Sequence, residues 1–494
     1  MNREEKSRII KPRRLPLWLL TLLAFSTILR AQGLKAGASK VVITPDVHAA
    51  KVYMAGFDHD RVATGVHDDL YVRCLALGVR DTTLAICEAD LIGLFYDDVL
   101  KIRQEVQAAA PQVTQLIVGS SHDHEGPDTL GLWGPSVLQS GIDEKYMDEL
   151  DHKIAGAALA AVHSMQNARL TLGEDNNPLL ALLQNDSRPP YVKDPHFLVM
   201  RLVAESSGEP IATFINWSDH PETLGGKNTL ITADYPHWLC QHVELRLGGI
   251  AVFFNGSIGG LLSTLGSSVA IQDPGNGEVA KDGTWDKAEL VGNMLGLLTE
   301  RTVNLGSAAP VDTIVIRKTV IFAPVENDTF RIAEAQGVFK GKKGLYTSGK
   351  ADNSFVVKYI PSMGKLRYAT GKDTRSEVDY IQFLNHGNLV AEIATVPGEI
   401  YPELVNGGIT RYAGADFPEA LFEPVVRAHM RSSYQFVLGL ANDELGYIIP
   451  KAEWDNQPPW LRANESRWYG EVNSAGPEVA GVVTRTLVSL MNKQ

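Results

Sequence analysis

Thr114-Gln-Leu-Ile-Val-Gly-Ser-Ser-His122-Asp-His124-Glu-Gly-Pro127 is an apolar run that stops abruptly in small residues, two histidines and two carboxylates. It reads as a strand that ends where chemistry begins. Residues i and i+2 of an extended chain project from one face, so His122 and His124 share a direction if the extended geometry persists. Histidine is the commonest metal ligand, and at neutral pH it binds without first losing a proton. A lone H-x-H also describes a polar loop with two surface histidines, so the rest of the chain has to decide between them.

Four further apolar runs end in the same way. Ile211 to Ile215 is followed by Asn-Trp-Ser-Asp219-His220-Pro221, and Ile250 to Phe254 by Asn255-Gly-Ser257-Ile-Gly-Gly-Leu-Leu-Ser263. Leu389 to Val396 is followed by Pro397-Gly398-Glu399, and Gln435 to Leu440 by Ala-Asn-Asp443-Glu444-Leu-Gly-Tyr447. Ligands in open sheets sit outside the carboxyl ends of strands, so these tails are expected to converge on one crevice. Pro221 biases His220 away from helical backbone, and Pro397-Gly398 forces a turn just before Glu399. Two nitrogens and one carboxylate from His122, His220 and Glu399 make the mixed donor set of a catalytic zinc site with an open position. Such an ion lowers the pKa of bound water toward ~7 and polarises a carbonyl. Nitrogen and oxygen donors also suit other divalent metals.

Between these tails the chain alternates strand and helix. Helices are expected at Asp97 to Ala109, Asp143 to Met165, Pro236 to Leu247, Asp286 to Leu305, Pro418 to Arg431 and Pro477 to Met491. Strands are expected at Val72 to Val79, Thr83 to Ala89 and Phe197 to Val203, among others. The alternation predicts an α/β fold of mixed β-sheets flanked by helices, with α+β as the alternative, and a site at strand C-terminal ends. The 494 residues, 44% hydrophobic and 21% charged, are ordinary globular values. A formal charge of -12 argues against nucleic acid as a partner.

Residues 1 to about 31 carry a basic segment with Lys11, Arg13 and Arg14, a short apolar run from Leu15 to Leu29, and a small residue, Ala31. That pattern predicts an export signal and a secreted or periplasmic protein. Residues 32–494 would then form the catalytic domain. Cys74, Cys87 and Cys240 are too few for a disulfide scaffold and are expected as buried free thiols, with one bridge as the alternative. A Gly- and Lys-rich insertion at about 330–385, with Lys340, Lys342, Lys343, Lys350, Lys358, Lys365 and Lys372, reads as a solvated excursion. The competing reading is a basic patch for peripheral contact with a membrane surface.

Taken together, these segments resemble the neutral ceramidases, a family of zinc-dependent amide hydrolases. Gly-Ser-Ser-His122-Asp-His124-Glu-Gly-Pro is similar to that family's T-H-T-H-S-G-P, and Asn216-Trp-Ser-Asp-His220-Pro221 to its N-W-F-x-x-H. Val396-Pro-Gly-Glu399 looks like its V-P-G-E, Asn185-Asp-Ser187-Arg188 like its N-R-S-P, and Gly446-Tyr447 with Tyr469-Gly-Glu471 falls where its Y-x-T-T and Q-Y-E-G segments stand. The resemblance implies one zinc ion held by His122, His220, Glu399 and Tyr447. It also implies an acid/base or oxyanion role for His124, substrate positioning by Tyr469 and Arg188, and a lipid amide such as ceramide as substrate.

The chain departs from that pattern in several places. The family's serine segment, sometimes assigned as nucleophile, is represented here by Gly259-Gly-Leu-Leu-Ser263, with Leu262 at the serine's place and Ser263 one residue later. Water is therefore the expected nucleophile. Asp123 and Glu125 flank His124 where the family has small hydroxyl residues, which predicts a more acidic site. A counterpart of the family's C-terminal immunoglobulin-like domain is not expected after the Tyr469 segment. Two competing functions remain: a serine hydrolase using Ser257, whose Asn255-Gly-Ser257-Ile-Gly259 approaches a nucleophile elbow, and a non-catalytic secreted binding protein on the same scaffold.

Overall fold

The computed structural model describes residues 33–267, 279–352, 357–360, 365–368, 372–458, 460 and 468–493. The proposed export signal lies outside them. Two mixed sheets stand face to face. The larger has nine strands in the order Ile250–Asn255, Pro210–Trp217, Phe197–Ala204, Gln166–Asp175, Lys35–Val42, Tyr71–Val79, Thr82–Ala89 and Gln115–Ser120, with Ser307–Ala308 paired to Gln166–Asp175. The smaller runs Lys350–Ala351, Leu345–Thr347, Asp373–Asn385, Asn388–Thr395 and Gln435–Leu438, with Thr313–Pro324 paired to Asp373–Asn385. Parallel pairs occur where the sequence tails carry chemistry: Gln115–Ser120 on Thr82–Ala89, Ile250–Asn255 on Pro210–Trp217, and Gln435–Leu438 on Asn388–Thr395.

Period-two alternation assigns the layers. Along Tyr71–Val79, Val72, Cys74 and Ala76 face helices Tyr96–Ala109 and Glu144–His163, while Leu75 and Leu77 join Phe214, Phe254, Ile393 and Phe436 between the sheets. Both faces are buried, so these strands read as nearly unbroken apolar runs. Helices Tyr235–Leu247 and Trp285–Leu305 pack over the other end of the large sheet, and helix Val479–Asn492 covers the far face of the small one. The α/β expectation of mixed sheets flanked by helices is thus met. Helix starts follow local chemistry: the Asp143 carboxylate accepts from the Lys145 and Tyr146 N–H groups, and Asp234 caps Tyr235 ahead of Pro236.

Three expectations are corrected. The helix expected over 418–431 is reduced to Val426–His429. Pro424 lacks an N–H and clashes with a preceding turn, so helix forms only beyond it. Cys74 and Cys87 form a disulfide, leaving Cys240 as a buried free thiol. The two are cross-strand partners in an antiparallel pair with Cα atoms 4.1 Å apart. The basic insertion is no solvated excursion at its start: helix Asp328–Ala335 and the following turn bury Ala333, Val338, Phe339 and Lys343. Of the remainder, 353–356, 361–364 and 369–371 lie outside the described residues. No described helix is long and apolar enough to cross a membrane.

Candidate metal centre and pocket

The large sheet bends until its two edge strands meet at their carboxyl ends. Phe254, near the end of Ile250–Asn255, lies on Gly119 of Gln115–Ser120: a Cβ at Gly119 would stand 2.1 Å from Phe254 Cζ. Asn255 Nδ2 donates to the Ser121 carbonyl. The small sheet threads its tail into the same corner, where Gly439 N donates to Asn255 O at 3.0 Å and Asn442 N to Val118 O at 2.7 Å. Glu399 arrives by pairing in parallel with Tyr447 after the Pro397-Gly398 turn. All five tails therefore share one region.

Within it His122, His124 and His220 present ring nitrogens that all lie within 4.8 Å of one another, and all three residues are buried. Glu399 Oε2 is 3.0 Å from His220 Nε2 and 3.5 Å from His122 Nε2. Donors around a tetrahedral ion, each about 2.0–2.2 Å from it, stand roughly 3.3–3.6 Å apart, so these separations suit one shared cation. The backbone prepares the donors. His122 Nδ1 meets the Ile92 carbonyl and His220 Nδ1 the Leu262 carbonyl, each at 2.7 Å. A carbonyl accepts only from N–H, which places the proton on Nδ1 and leaves each Nε2 lone pair for a metal. Both ring nitrogens of His124 are buried without a hydrogen-bond partner, as expected of a group that completes a ligand or substrate site.

The geometry that unites His122 and His124 is not the one their spacing suggests. The strand stops at Ser120 and His122 adopts φ +65°, a left-handed conformation uncommon outside glycine. Strict alternation is broken. The rings still converge, with centroids 5.0 Å apart, because His124 is carried by a bond from its N–H to the Pro221 carbonyl and packs on Gly56, where a Cβ would fall 2.4 Å from His124 Cγ.

Electrostatics divide the candidate donors. Burial drives the His122 pKa down to about 4 although Glu399 opposes the shift. Burial also acts against charge on His220, but its hydrogen bond with Glu399 and the nearby Glu222 carboxylate push it up to about 9. Burial would raise Glu399; His122, His220 and a hydrogen bond from Tyr447 outweigh it and hold the carboxylate below its usual range. The acidity expected from Asp123 and Glu125 does not reach the site. Glu125 is buried against Arg61 (3.2 Å) and Asn228 (2.8 Å), and burial pushes its pKa up to about 8. Asp123 is pushed well up by burial too, so neither acid brings a free negative charge.

A pocket of about 580 Å³, counting its mouth, opens onto this cluster. His122, His124, Glu399, Tyr447 and Tyr469 line its polar end, and Phe95, Leu130, Leu132, Trp133, Phe330 and Phe339 its walls. Tyr447 is buried, whereas Tyr469 is half-exposed with its ring centroid 6.0 Å from that of Tyr447. Arg188 is not among the lining residues. Its guanidinium is buried on Glu471 and the Glu453 carbonyl, which braces the Tyr469–Val472 turn instead of reaching a substrate. Ser263 is drawn beside the His220 backbone as a parallel bridge partner, and its Oγ accepts from Leu265 N at 3.0 Å and bonds Glu222. The neighbouring Leu262 carbonyl is what orients His220, so this segment braces a candidate donor. Ser257 donates to Asp194 Oδ2 at 2.7 Å, which gives it a carboxylate partner where a nucleophile elbow needs an imidazole. Glu222, 3.3 Å from His124 Nδ1, escaped sequence reasoning although it directly follows His220-Pro221.

No protein-family model matches the chain, and no curated protein matches it by sequence. Solved structures do. A neutral ceramidase from Pseudomonas aeruginosa superposes with a TM-score of 0.63 at 16% identity, over 93% of this chain and 74% of that one. A ceramidase complexed with C2 superposes at 0.65, again at 16% identity, over 93% of this chain and 75% of the other. At that identity the likeness is one of architecture, and it runs through nearly the whole chain: this protein is built on the neutral ceramidase fold.

Proposed function

We propose that this protein is an exported, metal-dependent hydrolase of an N-acyl amide bond, with ceramide as the first substrate to try. The observation that carries the reading is the meeting of His122, His220 and Glu399, from three distant strand tails, at the polar end of an apolar-walled pocket. Those three residues and Tyr447 would hold zinc, which when bound polarises a carbonyl and lowers the pKa of water. His124 stands beside them. Glu222 lies 3.3 Å from its Nδ1 without hydrogen-bonding geometry, so both ring nitrogens stay available and Nε2 can exchange a proton with the amide. Tyr469 at the pocket mouth positions the substrate, and the Phe95, Leu130, Leu132 and Trp133 walls shield an acyl chain from water. Ser263 is already engaged by Leu265 N and Glu222, which favours water as the nucleophile.

Export is supported by the basic and apolar leader and by the Cys74–Cys87 disulfide, since disulfides persist in oxidising compartments. Contact with a membrane surface is supported by the exposed Val137 and Leu138, which continue the loop that supplies Leu130, Leu132 and Trp133 to the pocket. The test is metal analysis of the purified protein with a panel of N-acyl substrates that includes ceramide, repeated for His220→Ala. Loss of both metal and hydrolysis is expected. An unchanged rate in the metal-free variant would end the reading, and retained metal without turnover of any amide would leave a binding protein.

A further inference from the structure

One edge of the pocket is polar in a way the proposed chemistry does not use. Glu444 lines the pocket and is 6% exposed; its Oε1 accepts from the Gly446 N–H at 2.7 Å, and its Oε2 is buried with no hydrogen-bond partner among the described residues. A buried carboxylate oxygen without a donor is costly unless something else supplies one. The chain holds the group there firmly. Lys343, from the turn after helix Asp328–Ala335, donates to the Glu444 carbonyl at 2.6 Å and to Asp443 Oδ1 at 3.0 Å, with its ammonium 4.8 Å from the Phe95 ring centroid. The Glu444 side chain runs over Gly93, where a Cβ would meet Glu444 Cβ at 3.2 Å and Cγ at 3.3 Å.

We propose that Glu444 is a specificity-determining residue: its free carboxylate oxygen recognises a hydrogen-bond donor carried on the amine portion of the N-acyl amide. The inference deepens the proposed function and rests on it for the identity of the ligand. The side chains of Leu130, Phe330 and Phe339 carry no polar atom and the Trp133 indole N–H is itself a donor, so none of the four accepts from such a group. An amide whose amine side is purely alkyl leaves Oε2 unpaired, whereas a hydroxyl or an ammonium satisfies it. Lys343 would set the selectivity in concert, by fixing the backbone from which Glu444 projects.

Three chain-matched probes test this: N-octanoyl amides of pentylamine, 4-aminobutanol and 1,4-diaminobutane, which differ only in a terminal methyl, hydroxyl or ammonium. Binding to the metal-loaded protein is followed by tryptophan fluorescence, for which Trp133 in the pocket is a reporter, alongside hydrolysis. The wild-type protein should favour at least one donor-bearing probe over the methyl probe by about fivefold or more, as expected for one hydrogen bond to a buried, otherwise unpaired group. Glu444→Gln, which can turn an amide N–H₂ toward the donor, should reduce that ratio to near unity. Glu444→Asp, which keeps the carboxyl group, should retain part of it and covers the case in which the glutamine variant misfolds. Which donor is preferred, hydroxyl or ammonium, identifies the headgroup class. Equal binding of all three probes by the wild type, or the same preference in Glu444→Gln, overturns the assignment. Binding with this preference but no hydrolysis would remove the proposed enzyme and keep the subsite.

Discussion

Zinc binding should tighten as the pH rises, with release of about one proton across the neutral range. In the metal-free site His220 titrates at about 9, because Glu399 and Glu222 overcome the effect of burial, while His122 is held neutral down to about 4 and Glu399 stays ionised. Burial and Glu399 hold the Tyr447 hydroxyl well above its usual range, so with Tyr447 bound as the neutral phenol the one ligand proton to be displaced between about pH 5 and pH 9 is that on His220. Two pH units below its pKa, at about 1.36 kcal/mol per unit, that displacement costs about 2.7 kcal/mol at pH 7. Apparent affinity should rise about tenfold per unit, roughly a hundredfold from pH 6 to pH 8, and flatten above pH 9. The sign is set by His220: its raised pKa favours the protonated, metal-free form in acid, and that advantage fades as the pH climbs through 9. The assay is competition with a chelator of known pH behaviour, checked by calorimetry in buffers of different ionisation enthalpy. A flat profile, or release of two protons near neutrality, would refute the reasoning, since the first requires His220 neutral and the second requires either a charged His122 or a Tyr447 phenol that ionises on binding.

Gly119→Ala should destabilise the fold by about 1–3 kcal/mol or more in a thermal or urea melt, because its Cβ would lie 2.1 Å from Phe254 Cζ at the junction of the sheet's edges; a neutral effect would mean the edges are not in contact. Reduction or paired replacement of Cys74 and Cys87, which close a short loop, should cost about 3 kcal/mol of stability while Cys240→Ala costs less, as read by denaturant midpoints. Ser257→Ala should lower stability by about 1 kcal/mol through loss of its bond to Asp194 and leave the rate within a few-fold; a thousandfold drop would restore the serine hydrolase.

Long periodic helices were legible almost to the residue. Asp143 to Met165 became Glu144–His163, and Asp286 to Leu305 became Trp285–Leu305, because capping and a 3.6-residue apolar stripe are local properties. The tails that carry chemistry were legible too, since small residues and prolines mark where a strand must end. What misled was also local. Pro424 stood inside an expected helix, and an i, i+2 argument assumed extended backbone through His122, which is left-handed.

The sequence by itself determined the helices, the strand tails and the residue types able to bind a cation, because these follow from neighbours a few positions apart. Only the tertiary structure decided that two edge strands of one sheet meet, that Ile92 and Leu262 carbonyls aim two imidazoles, and that a Lys-rich turn closes over the pocket and seats Glu444. Those outcomes depend on packing between segments from 30 to more than 100 residues apart. Burial there changes protonation and partner choice in ways no local pattern encodes.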